Sequence, residues 1–319
     1  MSAATTRIRR TTLAVPGSSQ KMIAKSRTLM VDALFLDLED SVSPLAKEQA
    51  RENVIAELLV GGFGERIVSV RINDLSTDWA KSDLTEVMRA AGKNLDCIML
   101  PKVRSAADVQ WLANELSKFE NEIGKPVGST GIEVQIEDAL GLINVESIAA
   151  SSERIETIIL GPGDLMASLN MRTLEVGKQP EGYVEGDAYH YILMKLLIAA
   201  RAYGKQVIDG PYFAIKDLAG LELSSNRSAA LGFDGKWVLH PDQIDLVNQI
   251  FSPSQDSYDR AELILDAYEF HTSDAGGKRG AVMLGNEMID EASRKMAQVI
   301  ANKGRAAGLK RTKTFSMES

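Results

Sequence analysis

Carboxylates gather at the ends of apolar runs in this 319-residue chain. GIEVQIED (131–138) closes on Glu137 and Asp138, TIILGPGD (157–164) on Asp164, and ALFLDLED (33–40) on Asp37, Glu39 and Asp40. Burying an unpaired charge is costly, so a core strand should end this way only where its acids face a cation. Other runs end in Arg71 and Asn73, in Lys102, in Asp209 and in His240. Two hard oxygen ligands from protein, with water and substrate filling the other positions, form the usual arrangement around Mg²⁺. Glu137 and Asp164 can supply that pair. Zinc fits poorly, because His190, His240 and His271 are scattered and Cys97 stands alone. Side chains alternate along a strand, so only one of Glu137 and Asp138 is expected to enter a common pocket.

The elements that must position these residues follow a rhythm. Eight short runs rich in Val, Ile and Leu lie at 11–17, 33–40, 66–73, 97–103, 131–138, 157–164, 205–210 and 235–240. They are continuously apolar rather than alternating, which points to burial on both faces. Helical patterns separate them at 18–30, 44–59, 78–91, 105–121, 141–151, 187–203, 216–231 and 241–251, two of which open with Pro44 and Pro241. This order predicts an α/β fold, a (β/α)8 TIM barrel over residues 1–255, with the strand-end residues converging on one face. A doubly wound sheet is the alternative, though it usually has fewer strands. VPGSSQ after the first strand is not a dinucleotide-binding GxGxxG, and GGFG (61–64) reads as a helix stop. MRTLEVGKQPEGYVEG (171–186) is a long loop on the side where barrel enzymes keep their sites, either a lid or a plain surface insertion. Residues 256–319 read as a C-terminal helical extension, with helices at 257–273 and 286–302 and a disordered basic tail.

Composition narrows the partners. Hydrophobic residues make up 45% and charged residues 25%, and the net charge is -8, which argues against nonspecific nucleic-acid binding. No run approaches the length of a membrane span, and MSAATTRIRRTT lacks an apolar signal segment. One cysteine permits no intramolecular disulfide and suits a reducing compartment. The expectation is a cytoplasmic protein. Composition and spacing alone support a Mg²⁺-dependent barrel enzyme acting on a carboxylate or phosphate substrate.

The ordered set RTTLAVPGSS, FLDLEDSV, SVRIN, LPKV, IED, GPGDL and GFDGKWVLHPDQI, continued by MID at 288–290, resembles the citrate lyase β-subunit and malyl-CoA lyase family of CoA-ester lyases. The likeness runs from about residue 10 to about residue 250, and the Glu137–Asp164 separation (164 − 137 = 27) is family-like. The resemblance implies Mg²⁺, or Mn²⁺ in its place, held by Glu137 and Asp164. It implies Arg71 near the thioester carbonyl, Glu39 beside the metal waters, and Arg10 and Gly17 along the CoA. It also implies that Asp290 enters a neighbouring subunit's site as the proton-transfer group, in a homotrimer or homohexamer. The implied reaction is reversible Claisen cleavage of a malyl-, methylmalyl- or citramalyl-CoA thioester to glyoxylate or pyruvate plus acetyl- or propionyl-CoA. The sequence leaves open a malyl-CoA thioesterase, a citrate lyase β subunit, and a class II aldolase acting on free pyruvate adducts. Asp138 stands where the family often carries Thr or Ser. GPGDL and the 171–186 loop lean towards a stand-alone CoA-ester enzyme.

Overall fold

The computed structural model describes residues 7–315. Residues 1–6, within the start read for a signal segment, and residues 316–319 of the basic tail lie outside them. Eight parallel strands close into a barrel in sequence order. They are β1 (Thr11–Pro16), β2 (Ala33–Asp37), β3 (Ile67–Arg71), β4 (Cys97–Leu100), β5 (Gly131–Ile136), β6 (Ile155–Leu160), β7 (Gln206–Asp209) and β8 (Gly235–Val238). β8 pairs back onto β1, with Thr11 opposite Lys236. Each expected strand is present; β2, β3 and β7 end on Asp37, Arg71 and Asp209, while β4, β5, β6 and β8 stop short of Lys102, Glu137, Asp164 and His240.

The continuous apolar runs have a direct cause. Alternate residues such as Leu34, Leu36, Val68, Val70, Ile132 and Val134 pack outward against the helices. Phe35, Met99, Ile159, Ile208 and Trp237 fill the barrel interior, with Phe35 edge-on to Trp237 at 5.0 Å. The same alternation carries the polar residues. Glu133, Gln135 and Glu137 share the inner side of the β5 line, while Ile132, Val134 and Ile136 face out.

The helices begin and end where local chemistry dictates. Ser19 caps α1 (Gln20–Ser26). Gly61 ends α2 (Lys47–Val60) with φ 67, a left-handed value glycine accepts at little cost. Ser105 and Asp108 form a capping box on α4 (Ala106–Ile123), and Asp138 caps α5 (Ala139–Ala149). α3 is Trp79–Ala91. A short helix absent from the sequence reading, α6 (Pro162–Ser168), follows β6 directly. α7 (His190–Ala202), α8 (Leu218–Leu231) and α9 (Ile244–Ile250) complete the barrel.

The chain divides into two compact units, Arg9–Phe251 and the remainder, so the boundary falls at 251 rather than 255. In the second unit α10 (Gln255–Thr272) and α11 (Glu291–Ala306) pack through Ala261, Ala297 and Ala301. Residues expected to start a helix at 286 instead form a hairpin, β9 (Val282–Leu284) with β10 (Glu287–Ile289). The tail departs from the expected disorder as far as Phe315. Gln255 donates to the Lys310 carbonyl at 2.9 Å, Thr312 N–H donates to Asp259 at 2.9 Å, and Phe315 lies 6.0 Å from Phe270. No helix among the described residues is long and apolar enough to cross a membrane.

Candidate active site

At the carboxyl ends of the strands, Asp37 and Arg71 are register partners on β2 and β3. Asp37 takes Arg71 as a fork, with Nε and Nη2 each donating at 2.7 Å. Arg71 Nη1 lies 3.1 Å from Glu39 and donates to Gln135 at 3.3 Å. The guanidinium rests on the rings of Phe35 and Trp237, 5.3 and 5.2 Å from their centroids. Burial would push the Asp37 carboxyl up, but Arg71's charge and hydrogen bonds outweigh it and hold it at about 2. Arg71 is thus a fully buried cation with one edge locked by Asp37 and the other turned to Glu39. The pairing with Asp37 is its structural role, and it leaves Nη1 at the mouth.

The DLED turn is braced from beneath. Lys47 Nζ donates to the Leu38 and Glu39 carbonyls at 2.8 and 2.7 Å. The Glu39 and Ser41 amides donate to Asp37. The Glu39 side chain is buried, and its carboxyl is raised first by that burial, against Arg71 and Lys102. Lys102 Nζ reaches Glu39 Oε1 at 2.5 Å, Asp40 at 3.5 Å and Asp164 at 3.8 Å.

Glu137, 2% exposed, receives the Lys102 amide on Oε1 and Gln135 Nε2 on Oε2, both at 2.7 Å. Burial pushes its carboxyl up to about 8; Arg71 opposes this, while Glu39 and Asp164 add to it. Gly161 makes the room: a Cβ there would fall 2.4 Å from both Glu137 Cβ and Oε2. Asp164, in the first turn of α6, is exposed and points its carboxylate towards Lys102. As the alternation predicts, Asp138 turns away from Glu137. It accepts from Gly141 N–H at 2.7 Å and from Arg104 at 2.5 Å.

The structure therefore brings Glu39, Arg71, Glu137 and Asp164 to one mouth. Other strand-end residues of the barrel are committed elsewhere. Arg10 precedes β1, at the opposite end of the strands, where its guanidinium forks onto Asp32 at 2.8 Å; this corrects its expected place along the CoA. Gly17 does lie at the carboxyl end of β1, but its first reason to be glycine is packing, since a Cβ would meet the Asp37 carbonyl at 2.7 Å. Asp209 faces outward and pairs with buried Lys236 at 2.6 Å. Asn73 donates to Asp83 of α3 at 2.6 Å. His240 Nδ1 caps its own turn, accepting from Asp242 N–H at 3.2 Å. In the second unit Asp290 is the N-cap of α11, accepting from Ser293 N–H at 2.9 Å. Its carboxyl is lowered by the backbone and hydroxyl of Ser293. Sequence reasoning missed Gln135, Lys47 and Gly161. The alternation that selects Glu137 selects Gln135 too, and the glycine of GPGD was the only signal for the third.

Residues 10–241 match the HpcH/HpaI aldolase/citrate lyase family. The chain belongs to this family. It is 38% identical over 295 residues to the L-malyl-CoA/beta-methylmalyl-CoA lyase of Cereibacter sphaeroides, covering 89% of this chain and 91% of that protein. It is 32% identical over 305 residues to the citrate lyase subunit beta of Escherichia coli, covering 96% of each. Among solved structures, CitE of Mycobacterium tuberculosis in complex with magnesium, acetoacetate and coenzyme A superposes with a TM-score of 0.71 at 26% identity. That match covers 94% of this chain and 98% of CitE. The family's closed barrel is thus the frame on which this chain's mouth of carboxylates is built.

The donor set suits a hard divalent cation. Glu137 and Asp164 offer carboxylate oxygens only, and each Glu137 oxygen accepts one hydrogen bond from the protein and so keeps acceptor capacity. No group of three or more His, Cys, Asp or Glu forms a closed metal cage among the described residues. Two protein oxygens with the remainder left to water and substrate is the magnesium pattern, not the structural zinc one.

Proposed function

We propose that the protein is a Mg²⁺-dependent carbon–carbon lyase that cleaves a 3-hydroxyacyl-CoA of the malyl-, methylmalyl- or citramalyl-CoA type. The products are glyoxylate or pyruvate and acetyl- or propionyl-CoA. The observation that carries this reading is the junction of the buried Glu137, the α6 Asp164 and the locked Arg71 at one barrel mouth. The names of the relatives over nine-tenths of their length support it. Glu137 and Asp164 hold the cation, which supplies Lewis-acid polarisation of the 2-oxo acid carbonyl. Mn²⁺ fits the same oxygens. Arg71, fixed by Asp37 before substrate arrives, places its Nη1 edge where enolate charge develops on the thioester oxygen. Glu39 lines the cation site and anchors Lys102. The loops at the carboxyl ends of the strands, Gly17 included, lie along the CoA. Asp290, working in a neighbouring copy within a trimer or hexamer as the family resemblance implies, moves the proton on the acyl carbon.

The testing assay mixes purified protein with Mg²⁺ and a panel of malyl-, methylmalyl-, citramalyl- and citryl-CoA. Released 2-oxo acid is trapped as its phenylhydrazone. Metal-dependent glyoxylate or pyruvate confirms the lyase and names its substrate. Release of free malate without glyoxylate would assign a thioesterase, and turnover of citryl-CoA alone would assign a citrate lyase subunit. Silence across the panel, with folded protein and wild-type metal binding, overturns the reading.

A further inference from the structure

Lys102 is one of three non-glycine residues with positive φ among the described residues, at φ 50. An L-residue rarely adopts this left-handed backbone without a reason. Here the reason is visible, because the conformation aims both ends of one residue into one cluster of carboxylates, the main chain at Glu137 and the ammonium at its neighbours. Its main-chain N–H donates to Glu137 Oε1 at 2.7 Å. Its ammonium reaches Glu39 at 2.5 Å, Asp40 at 3.5 Å and Asp164 at 3.8 Å. The side chain is 22% exposed. Burial works against its charge, but Glu39, Asp40 and Asp164 more than restore it.

We infer that Lys102 is a positioning residue that serves as a built-in counter-cation: its N–H fixes Glu137, and its ammonium holds Asp164 until a divalent cation displaces it. This rests on the metal reading proposed above. The ammonium and the divalent cation are like charges drawn to the same oxygens, so they compete. Lys102 therefore keeps the mouth assembled without a metal, at a cost in metal affinity. A lysine that merely packed there would have no such effect.

The test is Mn²⁺ binding to the full-length protein without substrate, read as loss of the free Mn²⁺ electron paramagnetic resonance signal. Lys102→Met should bind Mn²⁺ on the order of ten-fold more tightly than wild type, as expected for removing one close like charge. Lys102→Arg, which keeps the charge, should restore wild-type affinity. Lys102→Gly keeps the left-handed main chain and the N–H on Glu137. It should match Lys102→Met in affinity, and because glycine relieves the left-handed strain it should melt higher than Lys102→Met, so it carries the test where Lys102→Met fails to fold. Unchanged or weaker Mn²⁺ binding in the neutral variants overturns the inference while leaving the metal reading intact. A wild-type protein that binds no Mn²⁺ overturns both.

Discussion

Gly161 offers the sharpest test of the site, because it separates the place of one carboxylate from everything else. Its backbone, at φ -100 and ψ 85, is open to alanine, so Gly161→Ala introduces no conformational strain. The obstacle is contact: the new Cβ lies 2.4 Å from Glu137 Cβ and Oε2 and 3.0 Å from Gln135 Nε2. Ordinary carbon contacts are about 3.5–4.0 Å, so Glu137 must retreat by roughly 1 Å. Its Cβ is tied to the main chain, so rotating the side chain does not relieve the clash. Overpacking of this kind costs about 1–3 kcal/mol, which for a barrel of this size lowers Tm by roughly 2–10 °C. A shift of about 1 Å in a positioned group costs on the order of 100-fold in rate. The expected result is therefore a folded protein with kcat/KM near 1% of wild type and weakened Mn²⁺ binding. Gly163→Ala, two residues on in the same motif, is the control, for its Cβ meets nothing nearer than Val176 at 3.8 Å. It should lose little activity and gain a few tenths of a kcal/mol or more in helix propensity. Wild-type turnover and metal affinity in Gly161→Ala, with Tm lowered as expected, would refute the assignment of Glu137 as a ligand.

Three other outcomes follow from the same contacts. Asp37 has a folded carboxyl held at about 2 against about 3.9 when unfolded. Its contribution, on the order of 2 kcal/mol, is present above pH 4 and lost as pH falls towards 2; urea titrations at pH 6 and pH 2.5 should show the drop, and Asp37→Asn should remove that part of it. Lys236→Met strands Asp209 in the core and should cost about 3–5 kcal/mol. The double variant Lys236→Met/Asp209→Leu should recover much of the loss, read by chemical denaturation. Asp290→Asn keeps a good helix cap and should hold Tm near wild type while abolishing cleavage; Asp290→Ala should also lose about 1 kcal/mol. Mixing Asp290→Asn with Glu137→Ala subunits should regain partial activity, since each supplies the group the other lacks.

The barrel was readable because burial on both faces leaves a pattern that few other folds share, and the charged ends of the runs marked the functional face. Which strand-end residues point inward was not readable from composition. A shift of one residue reverses the face, and this is what separates inward Asp37 on β2 from outward Asp209 on β7. GIEVQIED escaped the ambiguity because Glu133, Gln135 and Glu137 form one polar row among Ile and Val. Arg10 failed for another reason: strand direction places a residue before β1 at the far end, whatever its chemistry. The hairpin was legible and overlooked. Gly285-Asn286, with Gly285 at φ 62, is a turn signal between alternating residues, but the helix that follows masked it.

The charges at the mouth explain why acids dominate there. Asp37 is matched by Arg71, whose fork leaves it no other partner of comparable strength. Glu39 is matched by Lys102, with Arg71 Nη1 close by. Glu137 and Asp164 remain. The first is buried and raised to about 8, and the second is exposed and touched only at 3.8 Å by an ammonium already committed to Glu39. With a divalent cation bound, the two carboxylates would together match its charge. One of them is desolvated by the fold, so it gains most from a hard cation, and the other is open to solvent, so a cation and its waters can reach it. That asymmetry, rather than the number of acids, makes this end of the barrel a site.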